Sequence, residues 1–324
     1  MDGGLASVEI IVAGAQNFAI IICVPLRDAL KHSLSTLCLP ENPAMIVTMK
    51  HEIKLIALDL DGTLLNSEKK LSARNYAALE RAAALGIQIV PCTGRLLCAL
   101  PEAVRGLPFL HYAICVNGAQ VVEVETGRTL CRADIPHERG MEVFRTLAAL
   151  PGVYDCYMDG RGWMDAAMYV RLEEFAASPQ SLAFLRSIRT PVPDFLRFVV
   201  EKRHDFQKIQ IFFHTREERL RYEAELSGPL GDLNLTSSCT NNIEINSRLA
   251  AKGEAMAALC RTLGFGPENA MCFGDGTNDI SMLRLAGTGV AMENAEPCVK
   301  EAADAVTASC DEDGVAQMIE RILL

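Results

Sequence analysis

Two acidic clusters each begin where an apolar run ends. Ile53 to Leu58 runs directly into Asp59-Leu60-Asp61-Gly62-Thr63-Leu64, and Ala270 to Phe273 runs into Gly274-Asp275-Gly276-Thr277-Asn278-Asp279. Carboxylates held close together repel one another unless a cation or a shared proton compensates them. A donor set made only of hard oxygens favours Mg²⁺. The chemistry such a site could support is attack on a phosphate ester. A carboxylate is a poor nucleophile toward another anion, so a divalent ion has to bridge the two. A Lys must neutralise the transferring phosphoryl oxygens, and a second carboxyl group must supply the leaving alcohol with a proton. Asp59 and Asp61, two apart on a turning segment, can divide the roles of nucleophile and acid. Lys252, at the predicted start of a helix, would bring its ammonium together with unpaired helix amides that favour an anion.

Positioning these groups requires a parallel sheet. From Met49 onward strand-like and helix-like segments alternate as in a doubly wound α/β domain with helices on both sheet faces. The expected strands are Ile53 to Leu58, Ile87 to Pro91, His111 to Val116 and Ala270 to Phe273. Ser72 suits an N-cap and Gly86 a stop for the Ala-rich helix between them, and Gly264 suits a stop for the helix starting near Lys252. Ligands of open parallel sheets bind beyond the carboxyl ends of the strands. Those ends carry Asp59 and Asp61, Thr93-Gly94-Arg95, Asn117-Gly118 and Asp275, and right-handed crossovers would gather all four at one edge. Asp, Asn, Thr and Gly also end strands merely to make turns. Four such ends, two of them acidic, favour a catalytic edge.

The 324 residues are half hydrophobic, enough for a large core and two domains. A formal net charge of −10, a sequence pI of about 5.2 and no block of Lys or Arg leave no footprint for binding a phosphate backbone, so nucleic acid is not an expected partner. Twelve cysteines without a Cys-x-x-Cys pair point to a reducing cytoplasm, with Cys92, Cys115 and Cys272 packing as small hydrophobes. The histidines have no zinc-like spacing, and Asn234-Leu235-Thr236 matters only in a secreted protein. Residues 1–48 differ in composition, being uncharged and apolar from Ile10 to Leu26. They lack a basic leader, are interrupted by Gln16, Asn17 and Pro25, and fall short of the ~20 residues of a spanning helix. They read as a poorly specified extension, or one translated from an upstream start ahead of Met45 and Met49. No stable membrane association is expected.

Asp59-Leu60-Asp61-Gly62-Thr63-Leu64-Leu65, Thr93-Gly94-Arg95, Lys252-Gly253 and Gly274-Asp275-Gly276-Thr277-Asn278-Asp279-Ile280-Ser281-Met282-Leu283 resemble, in order and spacing, the four motifs of the haloacid dehalogenase superfamily. The likeness is to its Cof-like sugar-phosphate phosphatases and extends from Met49 to Leu324, including the Asn117-Gly118-Ala119 turn. The resemblance implies that Asp59 forms an aspartyl-phosphate and that Asp61 acts as acid, then as base for water. It implies Mg²⁺ held by Asp59, the backbone carbonyl of Asp61 and Asp275, with Asp279 orienting a metal-bound water or the lysine. Thr93 and Lys252 would bind phosphoryl oxygens with support from Asn278, Asn117 and Gly118 would lie at the substrate, and Gly62 and Thr63 would shape the turn.

An insertion of more than a hundred residues between the third strand and Lys252 is too long for a loop. Val153 to Met158 and Gly162 to Met168 straddle Asp159-Gly160, a hairpin dipeptide, and Ile209 to Phe213 and Ile243 to Asn246 look like further strands. The expected division is residues 1–48 extension, 49–130 core, 131–241 α/β cap and 242–324 core, with hinges near Arg132 and Asn241. In the resembled family such a cap closes over the site and chooses the leaving group. Trp163 reads as packing, and Lys208 as a substrate contact or a solubilising charge. Gly287-Thr288-Gly289 begins like a dinucleotide fingerprint but has Met292 at the third glycine position, which removes a nucleotide-cofactor role. The expectation is a Mg²⁺-dependent phosphatase of small phosphorylated metabolites, sugar phosphates foremost. A phosphotransferase or mutase on the same fold stays open. A non-catalytic metabolite-binding protein fits less well, since it would have no need of mutually repelling carboxylates.

Overall fold

The computed structural model describes residues 7–13, 19–25 and 52–324. The chain forms two compact units, Met1–Ile46 and Val47–Leu324. In the first, strands Ser7–Ala13 and Ala19–Pro25 pair antiparallel with Ile10 opposite Ile22. The rest of the expected extension lies outside the described residues. No helix among the described residues is long and apolar enough to cross a membrane.

The second unit is built on a five-stranded parallel sheet in the order Ala305–Thr307, Thr288–Met292, Ala270–Gly274, Leu55–Leu58, Gln88–Pro91. The near-continuous apolar character of these strands follows from burial on both faces. Ile56, Leu58, Met271 and Phe273 enter one apolar cluster, while Leu55, Ala57, Ala270 and Cys272 enter the other. Each buried Leu or Phe contributes roughly 1.5–3 kcal/mol. Flanking helices end as their sequences dictate. Ser72 caps Ala73–Ala84 by accepting from the Asn75 amide, and Gly86 beyond that helix adopts φ of 87°. The ten cysteines between residues 52 and 324 are free; Cys272 is buried in its strand and Cys92 directly after Gln88–Pro91.

Two features differ from the sequence expectation. The strands Thr288–Met292 and Ala305–Thr307 are additional; the first carries a glycine and the second is three residues long, so neither has a strong period. The strand Tyr112–Cys115 heads an antiparallel sheet with Gln120–Glu123 and Thr129–Arg132, touching the parallel sheet through one bridge, Cys92 to Ile114. Three consecutive left-handed residues, Val116, Asn117 and Gly118 at φ 52°, 57° and 95°, turn the chain back after this strand. Its end still reaches the same edge, because the Asn117 amide donates to the Thr93 carbonyl.

The insertion folds into a six-stranded sheet in the order Arg189–Val192, Arg161–Asp165, Val153–Met158, Lys208–Phe212, Asn242–Ser247, Leu233–Thr236. All its neighbours are antiparallel except the Arg189–Val192 edge pair. Asp159 and Gly160 close the hairpin at φ 51° and 73°, both left-handed as a two-residue type I′ turn requires. The second hairpin strand stops at Asp165 rather than Met168, because the Asp165 carboxylate accepts from the Ala167 amide and starts a short helix. Asn242–Ser247 pairs with Lys208–Phe212 on one side and Leu233–Thr236 on the other, so the expected boundary and hinge at 241 would cut a sheet; the return to the core follows Ser247. The apolar face, with Ile209, Ile211, Ile243 and Ile245, packs with Phe144 and Val199 of the covering helices.

Candidate active site

Two adjacent strands set the site. Leu58 is in register with Phe273, and the Asp59 amide donates to the Phe273 carbonyl at 3.0 Å. The residues that follow therefore leave the sheet side by side, although 216 positions separate Asp59 from Asp275. One carboxylate oxygen from each of Asp59, Asp275 and Asp279 lies within 4.8 Å of the others.

Lys252, at the first turn of the helix Lys252–Thr262, is fully buried and donates to Asp59 Oδ1 at 2.7 Å and Asp279 Oδ1 at 2.6 Å. The other Asp279 oxygen accepts from the Asp275 and Gly276 amides at 3.0 and 2.9 Å. Asp279 thus fixes both the lysine and the loop that presents Asp275. Thr63 is buried and donates to Asp275 Oδ1 at 2.8 Å, while Asn294 ties down the loop through the Gly62 carbonyl at 2.8 Å. Gly62 sits at φ 100°, and a Cβ there would come within 2.4 Å of Asp275 Oδ2, so the closeness of the two acidic turns depends on this glycine.

Burial pushes the Asp59 carboxyl up to about 7 despite the opposing pull of Lys252, with Asp279 and Asp275 adding to the rise. Burial and then Asp279 push Asp275 up to about 6. Burial alone would neutralise Lys252, but Asp279 and Asp59 outweigh it and hold the ammonium. Three carboxylates facing one ammonium leave two negative charges to be compensated. That excess, with its all-oxygen donor set, fits a divalent cation, which the carboxylates of Asp59, Asp275 and Asp279 lie close enough to share.

Asp61 lies differently. Arg95 clasps its carboxylate at both oxygens, each at 2.7 Å, and Lys69 approaches at 3.1 Å. Burial pushes this carboxyl up, but the Arg95 hydrogen bonds and charge, with Lys69, outweigh it and hold Asp61 below the usual range. In this arrangement Asp61 is an ion-paired carboxylate. Arg95 in turn lies under the ring of Phe184 from the inserted domain, 4.9 Å from its centroid.

A cavity of about 410 Å³ opens between the core and the inserted sheet, lined by Asp59, Asp61, Thr93, Asp275, Asn278 and Asp279 among others. Asn117 is buried and stands behind this wall: its side chain accepts from Asn278 at 3.2 Å and donates to Glu244 of the inserted sheet at 2.7 Å. Gly118 is buried away from the cavity lining, where a Cβ would come within 2.5 Å of the Ala251 carbonyl beside Lys252. It allows the lysine helix to approach. Trp163 packs on Phe198 at 4.7 Å between ring centroids and donates to the Met158 carbonyl. Lys208 is 2 % exposed and lines the cavity, which removes the solubilising reading.

Comparison with known proteins agrees with this geometry. Residues 56–319 match the haloacid dehalogenase-like hydrolases. The chain is 33 % identical over 291 residues to the phosphatase YwpJ of Bacillus subtilis, covering 84 % of this chain and all of that one. It is 30 % identical over 273 residues to the 5-amino-6-(5-phospho-D-ribitylamino)uracil phosphatase YcsE of the same organism, covering 84 % and 97 %. The solved structure of a haloacid dehalogenase-like hydrolase from B. subtilis superposes with a TM-score of 0.73 at 31 % identity, covering 84 % of this chain and 100 % of that one. The chain therefore belongs to the haloacid dehalogenase-like hydrolases and is an enzyme with named phosphatases among its relatives.

Proposed function

We propose that this protein is a Mg²⁺-dependent cytoplasmic phosphatase of small phosphorylated metabolites, sugar phosphates foremost, acting through phosphoryl transfer to Asp59. The observation that carries the reading is the meeting of Asp59, Asp275 and Asp279 on the wall of the cavity between core and inserted sheet, with buried Lys252 bonded to Asp59 and Asp279 behind them. Asp59 Oδ attacks phosphorus as the ester P–O bond breaks, and the departing alkoxide takes a proton from Asp61. Water then attacks the aspartyl-phosphate with Asp61 as base, returning the carboxylate and releasing phosphate. Asp61, held here as a carboxylate by Arg95, must leave that partner and take up a proton from solvent before it can give one to the alkoxide. Lys252 and Thr93 neutralise and orient phosphoryl oxygens, and Asn278, braced by Asn117, holds the same edge. When bound, the divalent cation draws the two anions together and withdraws charge from the phosphoryl group.

A phosphate-release screen over small phosphomonoesters tests this. Turnover is expected with Mg²⁺ and a loss of at least about a hundredfold in excess chelator, since the cation supplies several kcal/mol of charge stabilisation. Turnover indifferent to chelation contradicts the proposal.

A pH effect follows from the same carboxyls. Their folded pKa values, about 7 and about 6, lie above the ordinary 3.8, so their contribution stabilises at acid pH and is lost as pH rises from about 4 to about 7. A cation must displace those protons. The apparent Kd for Mg²⁺ should rise roughly tenfold per pH unit between about pH 7 and 6 and approach roughly a hundredfold per unit below about pH 6, where both carboxyls are protonated, and the Tm gained on adding Mg²⁺ should be larger at pH 7.5 than at 5.5. Equal gains at both values would place the ion elsewhere.

A further inference from the structure

The inserted sheet turns its isoleucines toward its helices, so the alternate residues Lys208, Gln210, Asn242 and Glu244 face the core. An antiparallel sheet usually leaves such a face to water. Here it is covered: Lys208, Gln210 and Glu244 are each 2 % exposed. Two ion pairs lie on it, Lys208 with Glu244 at 2.6 Å and Arg189 with Asp155 at 2.7 Å. Gln210 donates to Asp155 at 2.8 Å, and Glu244 also accepts from Ser238 at 2.8 Å and Asn117 at 2.7 Å. Lys208 further lies over the face of Tyr157, 4.6 Å from the ring centroid. Arg189, Lys208, Gln210 and Glu244 line the cavity opposite the acidic corners.

Two buried ion pairs are a poor way to stabilise a sheet, since apolar residues of similar volume serve as well or better. Their use on the cavity wall points to recognition. Two cations and two anions leave the wall without net charge, and each cation is already committed to a partner. A second anion or cation on the substrate would be stripped of water here and meet no free countercharge, whereas hydroxyl and amide groups would find donors and acceptors alternating along the wall. Resting on the phosphatase reading above, we infer that this charge-balanced wall selects the leaving group, with Lys208 and Glu244 as specificity determinants that admit phosphomonoesters of uncharged, hydroxyl-rich alcohols and reject those bearing a second charge. The lowered acidity range of Glu244 and the raised one of Lys208 keep both ionised.

The test is the inhibition constant of three esters of matched size, glucose 6-phosphate, 6-phosphogluconate and glucosamine 6-phosphate, against hydrolysis of p-nitrophenyl phosphate with Mg²⁺. The wild type is expected to favour glucose 6-phosphate over both charged esters by about tenfold, the effect of one charge near a low-dielectric wall. Glu244→Gln keeps the shape and one oxygen to accept from Lys208 and Ser238, gives up the acceptor facing Asn117, and leaves the wall one charge positive, and should move the ratio toward 6-phosphogluconate by about tenfold. Lys208→Met should move it toward glucosamine 6-phosphate. The double variant, neutral again, should return to the wild-type order, which a misfolded cap would not do. A wild type indifferent to the second charge, or ratios unmoved in both single variants, overturns the inference. Absence of p-nitrophenyl phosphate hydrolysis by the wild type would instead strike at the phosphatase reading.

Discussion

Asp59→Asn is expected to lower kcat by three orders of magnitude or more while leaving the fold intact. The amide has the shape of the carboxylate and can still accept from Lys252, which lies 2.7 Å from Asp59 Oδ1. It cannot attack phosphorus, and loss of a covalent nucleophile costs roughly 10³-fold or more. The substitution also removes a buried carboxyl whose ionisation is unfavourable in the metal-free protein. Thermal unfolding in chelator at pH 7.5 should therefore show a Tm equal to or above that of the wild type. Retention of more than a few per cent of the activity would mean that another group takes the phosphoryl.

Lys252→Met should remove both activity and stability. Methionine fills the volume of the lysine stem but leaves the buried Asp59 and Asp279 facing each other without a cation. Breaking a buried ion pair by removing one partner costs about 3–5 kcal/mol. The cost depends on pH: at pH 5.5 the orphaned Asp59 carboxyl, which burial already pushes up to about 7, can take up a proton, so the gap from wild type in urea unfolding should narrow relative to pH 7.5. A gap of under about 1 kcal/mol at pH 7.5, the range of a surface pair, would show that Lys252 is not the hub of the site.

The catalytic edge was legible because parallel strands buried on both faces write themselves as apolar runs, and a polar residue at the end of each run marks where the chain meets the ligand side. Asp59, Thr93, Lys252, Asp275 and Asp279 were all found this way or by motif, and they meet in space. Ala305–Thr307 was not, because three residues carry no period. The strand Tyr112–Cys115 does meet the core sheet in parallel, at the single bridge Cys92 to Ile114, but its composition does not record that its ladder partner is the antiparallel strand Gln120–Glu123. Its pairing is decided afterward, by left-handed turns at Val116 and Asn117. The cap boundary that the sequence suggests at 241 fails for a similar reason: Asn242–Ser247 alternates polar and apolar residues as a one-sided sheet should, but nothing local says which sheet it joins.

Side-chain partnerships across long sequence distances were the least legible. Arg95 adjoins Thr93 and Gly94 in a motif, yet its bidentate hold on Asp61, 34 residues upstream, depends on two strand ends being neighbours. Thr63 reaches Asp275 across 212 residues, and Asn294 braces the Gly62 carbonyl across 232. Lys208 read ambiguously because a charge ahead of an apolar strand is usually solvated; its burial follows from Glu244 standing beside it on the neighbouring strand. The alternation of Lys208, Gln210 and Asn242, Glu244 with isoleucines was the available signal that one face of that sheet is polar.

The most direct measurement is acid quenching of the enzyme during turnover, followed by peptide mass mapping. The account predicts one added phosphoryl group on the peptide containing Asp59, present with Mg²⁺, absent in chelator and absent in Asp59→Asn. Full turnover with no adduct on that peptide, or an adduct on a different residue, would contradict it.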